Sequence, residues 1–227
     1  MTIAALSLAM GFAACKKEDR KPVEQKPVEQ KPVEQKPVEQ KPAGEAPTAD
    51  VPKLADAAGA YTIDDAHSTV IFRAKHMNAS YTYGGFYKVS GTVRIDADAS
   101  KSEVSVEVDT ASLFSGNKER DDHLKGPDFF NTKQFPKITF KSTAIKEAAP
   151  GKYEVTGDLT LHGVTKPFTT TFEHVGFGPH PMMPGASVTG FHSAVTLKRS
   201  DFEMKNMIGQ GISDEIDLMI AIEAIRK

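Results

Sequence analysis

Residues 120 to 123 set a guanidinium, two carboxylates and an imidazole side by side, as Arg120, Asp121, Asp122 and His123. Such side chains can bind a pyrophosphate through charge-assisted hydrogen bonds or pass a proton to and from a substrate. The same residues equally suit a short polar helix, with Arg120 and Asp121 capping it and pinning it in place, and this structural reading is favoured. All seven histidines lie between His67 and His192, yet no two stand three or four apart on an expected helix. His67 and His76, nine apart, would face opposite sides of an uninterrupted strand, so the spacing predicts no metal site. The single cysteine, Cys15, allows neither an intrachain disulfide nor a cysteine cluster. An activated nucleophile is missing too, since no Gly-x-Ser-x-Gly turn occurs and Cys15 is remote from the folded part. These residues point to binding without catalysis, and no cofactor is expected.

The elements that must position them alternate with period two. Val70, Phe72, Ala74 and His76 share one face of a strand, and Tyr87, Val89, Gly91, Val93 and Ile95 share one face of the next. Val104, Val106 and Val108 repeat the pattern, as do Tyr153, Val155, Leu159 and Leu161. Further strands are expected near Lys137–Ile145, Pro167–Val175, Val188–Lys198 and Glu215–Ile225, which makes eight. Eight alternating strands joined by short turns suit an all-β, antiparallel barrel, because closure removes aggregation-prone edges; a β-sandwich is the alternative. Only Asn117–Asn131 breaks the period, reading as a short helix that stops at Gly126-Pro127. Such a barrel is either filled by its own side chains or encloses one small ligand, and periodicity leaves both open.

Composition divides the 227-residue chain at Tyr61. Residues 61–227 are rich in Val, Ile, Phe and Thr and form the expected barrel domain, whereas residues 15–60 read as a disordered linker in which Lys-Pro-Val-Glu-Gln recurs four times from Lys21 to Gln40. The whole chain holds 28 basic and 30 acidic residues, a balance that argues against nucleic acid as a partner. No run is long and apolar enough for a spanning helix. Met1–Ala14 is apolar and signal-like, although no basic residue precedes it, which suggests a translation start further upstream. Gly11-Phe12-Ala13-Ala14-Cys15 resembles the lipobox of bacterial lipoproteins, with Phe12 where an aliphatic residue is usual. That resemblance implies an acylated Cys15, a membrane anchor, and a cell-envelope location, periplasm-facing or on the outer membrane.

Several ordered blocks resemble the YceI-like polyisoprenoid-binding family. They are Tyr61-Thr62-Ile63-Asp64 with His67-Ser68-Thr69-Val70-Ile71-Phe72; Arg120-Asp121-Asp122-His123-Leu124 with Asp128-Phe129-Phe130 and Phe135-Pro136-Lys137; Gly157 to Pro167; and Arg199-Ser200-Asp201-Phe202. Glu203 departs from the pattern where a Gly commonly follows. The resemblance implies a lipocalin-like barrel that binds a long-chain isoprenoid or fatty amphiphile for transport, storage or sequestration, with no catalytic activity. Phe72, Phe129, Phe130, Phe135, Phe140 and Phe168 serve first as packing, but a cavity for a long chain must be lined by the same residues, so they are candidate ligand contacts. His76, Arg120 and His123 are candidate head-group contacts. The competing reading is a side-chain-filled interaction module whose Gly176–Ser187 loop, with Met182 and Met183, meets a protein partner.

Overall fold

The computed structural model describes residues 53–227. The expected signal segment, Cys15 and the repeats of the linker lie outside the described residues.

Eleven strands and one helix appear: β1 (Gly59–Ile63), β2 (Thr69–His76), β3 (Ser80–Phe86), β4 (Val89–Ile95), β5 (Glu103–Asp109), β6 (Leu113–Phe114), α1 (Lys118–Lys125), β7 (Lys137–Ala149), β8 (Lys152–Leu161), β9 (Val164–Pro179), β10 (Ser187–Lys198) and β11 (Ile212–Arg226). They reduce to a closed, eight-stranded antiparallel barrel. β1 and β2 form one interrupted strand and β3 and β4 one bent strand, while the two-residue β6 merely adds to the edge of β3. The sheet closes because β11 pairs with β10 along one edge and with β1 and β2 along the other, placing Thr62 opposite Ile225 and Phe72 opposite Leu218. No strand edge is left long and unpaired at the seam.

Both interruptions change which residues face inward. Tyr61 and Ile63 are buried on β1, but Val70 and Phe72 point inward on β2, so inward parity passes from odd to even numbers. The excursion between them is built around Asp64, whose backbone N–H donates to the Glu223 carbonyl and whose carboxylate accepts from Ala66 N–H at 3.0 Å. Ser68 closes it, donating through Oγ to the Glu223 carbonyl (3.1 Å) and accepting from the Glu223 N–H (3.0 Å). A matching switch occurs at Tyr87-Lys88. Phe86 and Val89 are both buried while Tyr87 is exposed, which corrects the assignment of Tyr87 to the inward face of the second strand. A strand that must bend around a barrel corner accommodates the extra residues as a local irregularity.

The third departure from expectation lies at the N-terminal boundary. Residues Leu54–Ala57 form a turn of 3-10 helix with Leu54 and Ala57 buried, and the Ala57 carbonyl accepts from the Tyr61 hydroxyl at 2.7 Å. The final stretch of the expected linker therefore contributes to the core, because a barrel end otherwise open to water is covered by the nearest apolar side chains. At the opposite end α1 ends at Gly126 as expected, but its cap is Asn117, whose side-chain oxygen accepts from Arg120 N–H at 2.9 Å. Glu203 occupies the left-handed region (φ 60°) just after the 3-10 turn Arg199–Phe202, a conformation that explains why Gly is usual there. A chain beginning at Tyr61 is expected to be less stable than one beginning at Lys53 by about 2–4 kcal/mol, from the lost burial of Leu54 and the lost tyrosine hydrogen bond. Urea denaturation of the two chains measures this, and coincident midpoints would contradict the role given to Leu54.

Candidate functional site

Along β5 the outward residues are Glu103, Ser105 and Glu107, whereas Val104, Val106 and Val108 face the barrel axis. A polar exterior over an apolar interior is the reverse of a porin-type barrel and suits a container for apolar matter in water. The inward side chains do not fill that interior. They leave a cavity of about 640 Å³, within the range of ligand pockets. Of the two readings that periodicity leaves open, the structure has the barrel with an open interior.

The cavity wall is aromatic and aliphatic. Phe72 lies 6.1 Å, centroid to centroid, from both Phe86 and Phe130, and Phe86 meets Phe130 edge-on at 5.2 Å. Across the barrel Phe140 meets Phe168 edge-on at 6.4 Å. Two glycines make room for these rings: a Cβ on Gly84 would come within 2.3 Å of the Phe72 ring, and one on Gly157 within 2.6 Å of the Phe140 ring. Packing thus holds Phe72 and Phe140 flat enough against the wall to leave the centre open. The polar lining is sparse and internally satisfied where it is deepest, since Thr170 shares a 2.7 Å hydrogen bond with Ser193.

Of the nine candidate ligand contacts, eight line the cavity: Phe72, His76, Arg120, His123, Phe129, Phe130, Phe140 and Phe168. Phe135 does not. It packs at a tilt on His162 at 4.5 Å and covers Gly163 in the turn between β8 and β9, so it is corrected to a packing residue of the barrel end. His76 and His123 stand exposed at the end of the barrel that α1 crosses. His123 lies 3.2 Å from Asp128 and edge-on to Phe129, which ties the helix to the segment that follows it. Arg120 donates to Ser115 Oγ (2.8 Å) and to the Ser115 carbonyl (2.5 Å), and Asp121 pairs with the same hydroxyl. The pair pins α1, as the structural reading holds, although the capping falls to Asn117.

Residues that sequence reasoning missed include Phe172 and Phe191, which line the cavity from β9 and β10, and Ile220 from β11. Alternation carried them, yet none belongs to a conspicuous block. Arg199, in the Arg199-Ser200-Asp201-Phe202 block, lines the same cavity with its side chain while being 5% exposed. Neither Met182 nor Met183 does; both belong to the turn between β9 and β10, where their N–H groups donate to His180 Nδ1 at 3.1 Å.

A closed, eight-stranded antiparallel barrel around an apolar cavity defines the class of fold. The chain belongs to the YceI-like domain family, which it matches over residues 61–224. It is 39% identical over 177 residues to a UPF0312 protein of Vibrio parahaemolyticus, covering 77% of this chain and 91% of that one. Among solved structures it is similar to Burkholderia cenocepacia BcnA (31% identity, TM-score 0.61, 73% of this chain and 99% of that one). The Campylobacter jejuni YceI protein gives 32% identity and a TM-score of 0.59 over 67% of this chain and 90% of that one. A polyisoprenoid binding domain from Saccharophagus degradans shares the fold at 17% identity, with a TM-score of 0.55 over 72% of this chain and 97% of that one.

A second group of donor atoms forms where β1 breaks. Asp64, His67 and Glu223, separated in sequence, place His67 Nδ1 2.7 Å from Asp64 Oδ2 and 3.6 Å from Glu223 Oε1. The hydrogen bond that His67 Nδ1–H donates to Asp64 is the main cause that raises the His67 pKa above its ordinary value, and the same bond lowers that of Asp64. The His67 contribution to stability is complete below the ordinary histidine pKa and is lost as pH rises through the raised one. The Asp64 contribution is present above the ordinary carboxylate pKa and is lost as pH falls through the lowered one. The pair therefore stabilises the strand break most at mildly acidic pH. An NMR titration is expected to show the His67 pKa returning to its ordinary range in Asp64→Asn; an unchanged pKa would contradict the pairing.

Proposed function

We propose that this protein is an envelope-anchored carrier that holds a long-chain apolar ligand, a polyisoprenoid or a related amphiphilic lipid, inside its barrel for transport, storage or sequestration. The observation that carries the reading is the cavity of about 640 Å³ walled by phenylalanine and aliphatic side chains beneath a polar exterior. Family membership and the shared fold of the Saccharophagus degradans polyisoprenoid binding domain support an isoprenoid as the ligand. Each methylene that enters such a cavity contributes about 0.8 kcal/mol before ordering costs, so affinity rises with chain length until the space is full.

Denaturing organic extraction of the purified protein, followed by mass spectrometry, is expected to yield a long-chain lipid. A series of prenols added to the delipidated protein is expected to bind more tightly as the chain grows. Phe140→Asp is expected to abolish uptake, because an unpaired carboxylate in an apolar wall repels the chain, while Phe140→Leu retains it and serves as the folding control. Empty extracts together with no uptake of any prenol by folded protein would overturn the reading.

The anchor is the second half of the proposal. Acylation of Cys15 supplies more than one acyl chain, enough for stable attachment where one chain is marginal, and the Lys-Pro-Val-Glu-Gln repeats then hold the barrel away from the bilayer. Lys16, rather than Asp, follows the cysteine, which under the sorting rule of enteric bacteria directs the protein to the outer membrane. Metabolic labelling with a fatty-acid probe is expected to mark the wild type and not Cys15→Ala; equal labelling of both would remove the anchor from the account.

A further inference from the structure

The charged side chains that line the cavity are Lys75, Arg94, Arg120 and Arg199; no aspartate or glutamate lines it among the described residues. Two of the four are already spoken for. Arg94 pairs with Glu103 at 3.0 Å, and Arg120 is held by Ser115. Arg199 differs from both because it is buried, at 5% exposure. Its guanidinium donates Nε–H to the Ser213 carbonyl (2.9 Å), Nη1–H to the Met204 carbonyl (2.7 Å) and Nη2–H to the Ile212 carbonyl (3.4 Å).

A guanidinium has five N–H donors, so these three bonds leave two, one on each terminal nitrogen. Among the described residues no carboxylate comes within 4.0 Å of it. Asp214 acts on it only through space, its own oxygens accepting from Ser200 N–H (2.8 Å) and Oγ (2.7 Å). Arginine does not shed its proton to escape burial, and desolvation is the leading influence on this one. The result is a fixed positive charge with spare donors, clamped by three carbonyls, on the wall of a largely apolar cavity. A buried charge without a partner is costly, and an arriving anion would remove that cost.

We infer that Arg199 is the head-group anchor of the cavity and that the ligand is a single-chain amphiphile with an anionic head, a carboxylate or a phosphate. The head sits between Arg199 and the exposed His76 at the α1 end of the barrel, and the chain runs from there along Phe72 and Phe140. A planar guanidinium with two free N–H groups matches either head by charge-assisted hydrogen bonds. The inference rests on the cavity being an apolar-ligand site and adds to it a charge preference and a direction of entry.

The test compares two matched pairs on the delipidated full-length protein, oleate with oleyl alcohol and geranylgeranyl phosphate with geranylgeraniol. The charged member is expected to bind at least tenfold more tightly than its alcohol, a difference of 1.4 kcal/mol, in one pair or both. The pair with the larger ratio names the head. Inorganic phosphate alone is expected not to displace the preferred ligand, since the chain supplies most of the affinity. In Arg199→Met the ratio of charged to alcohol affinity is expected to fall to about one, with a wild-type far-ultraviolet circular dichroism spectrum reporting that the barrel is intact. Should the Met variant fail to fold, Arg199→Lys, which keeps the charge but not the fork, is expected to retain a reduced preference. Equal affinities within both wild-type pairs would overturn the inference and leave the apolar cavity standing. A preference that persists undiminished in a folded Arg199→Met would equally overturn the assignment to Arg199. Failure of all four compounds to bind would overturn the cavity reading and this inference together.

Discussion

The structure depends on apolar side chains that face the barrel axis and yet leave its centre open. Packing normally drives such residues into contact at near-crystalline density. Here the rows from β2, β5, β7 and β11 each pack sideways on neighbours within the wall, through pairs such as Phe72 with Phe86 and Phe140 with Phe168. The centre stays open because closure of the sheet, and not contact across the interior, fixes the strand positions. Closure in turn demands the pairing of β11 with both halves of the first strand.

The two ends are sealed differently, and this asymmetry carries the functional direction. At one end Leu54 and Ala57 join a core that includes Tyr61, Ile95 and Tyr153. At the other end a smaller cluster of Leu159, Leu161, Phe202 and Met204 leaves room beside the polar helix α1, where His76 and His123 are exposed. The family blocks around Arg120 and Arg199 gather at this second end. The block around Asp64 and His67 lies elsewhere, stabilising the break that lets the first strand change its inward parity.

Much of the barrel was legible because alternation is a direct imprint of a wall with one wet and one dry face. The eight strands, the short helix and its Gly126 stop follow from that pattern and from turn chemistry. β3 escaped because Tyr81 and Tyr83 put large rings on the solvent side while Gly84 stands where inward bulk would be sought. The Leu54–Ala57 turn escaped because a single leucine among alanines resembles the linker before it. Phe135 was assigned to the cavity by its proximity to Phe129 and Phe130, but a few residues of loop carry it to the other side of the barrel end, onto His162. Arg199 could not be singled out from sequence, since nothing in residue type distinguishes a buried arginine from an exposed one.

The central claim is that the open centre of the barrel is where a chain resides. Crystals grown with a long-chain lipid brominated at its terminal carbon place that claim under direct test through the anomalous signal of bromine. The account predicts one peak inside the barrel, surrounded by Phe72, Phe140, Phe191 and Ile220. A peak on the outer surface, or an interior without bromine in protein saturated with the lipid, would contradict it.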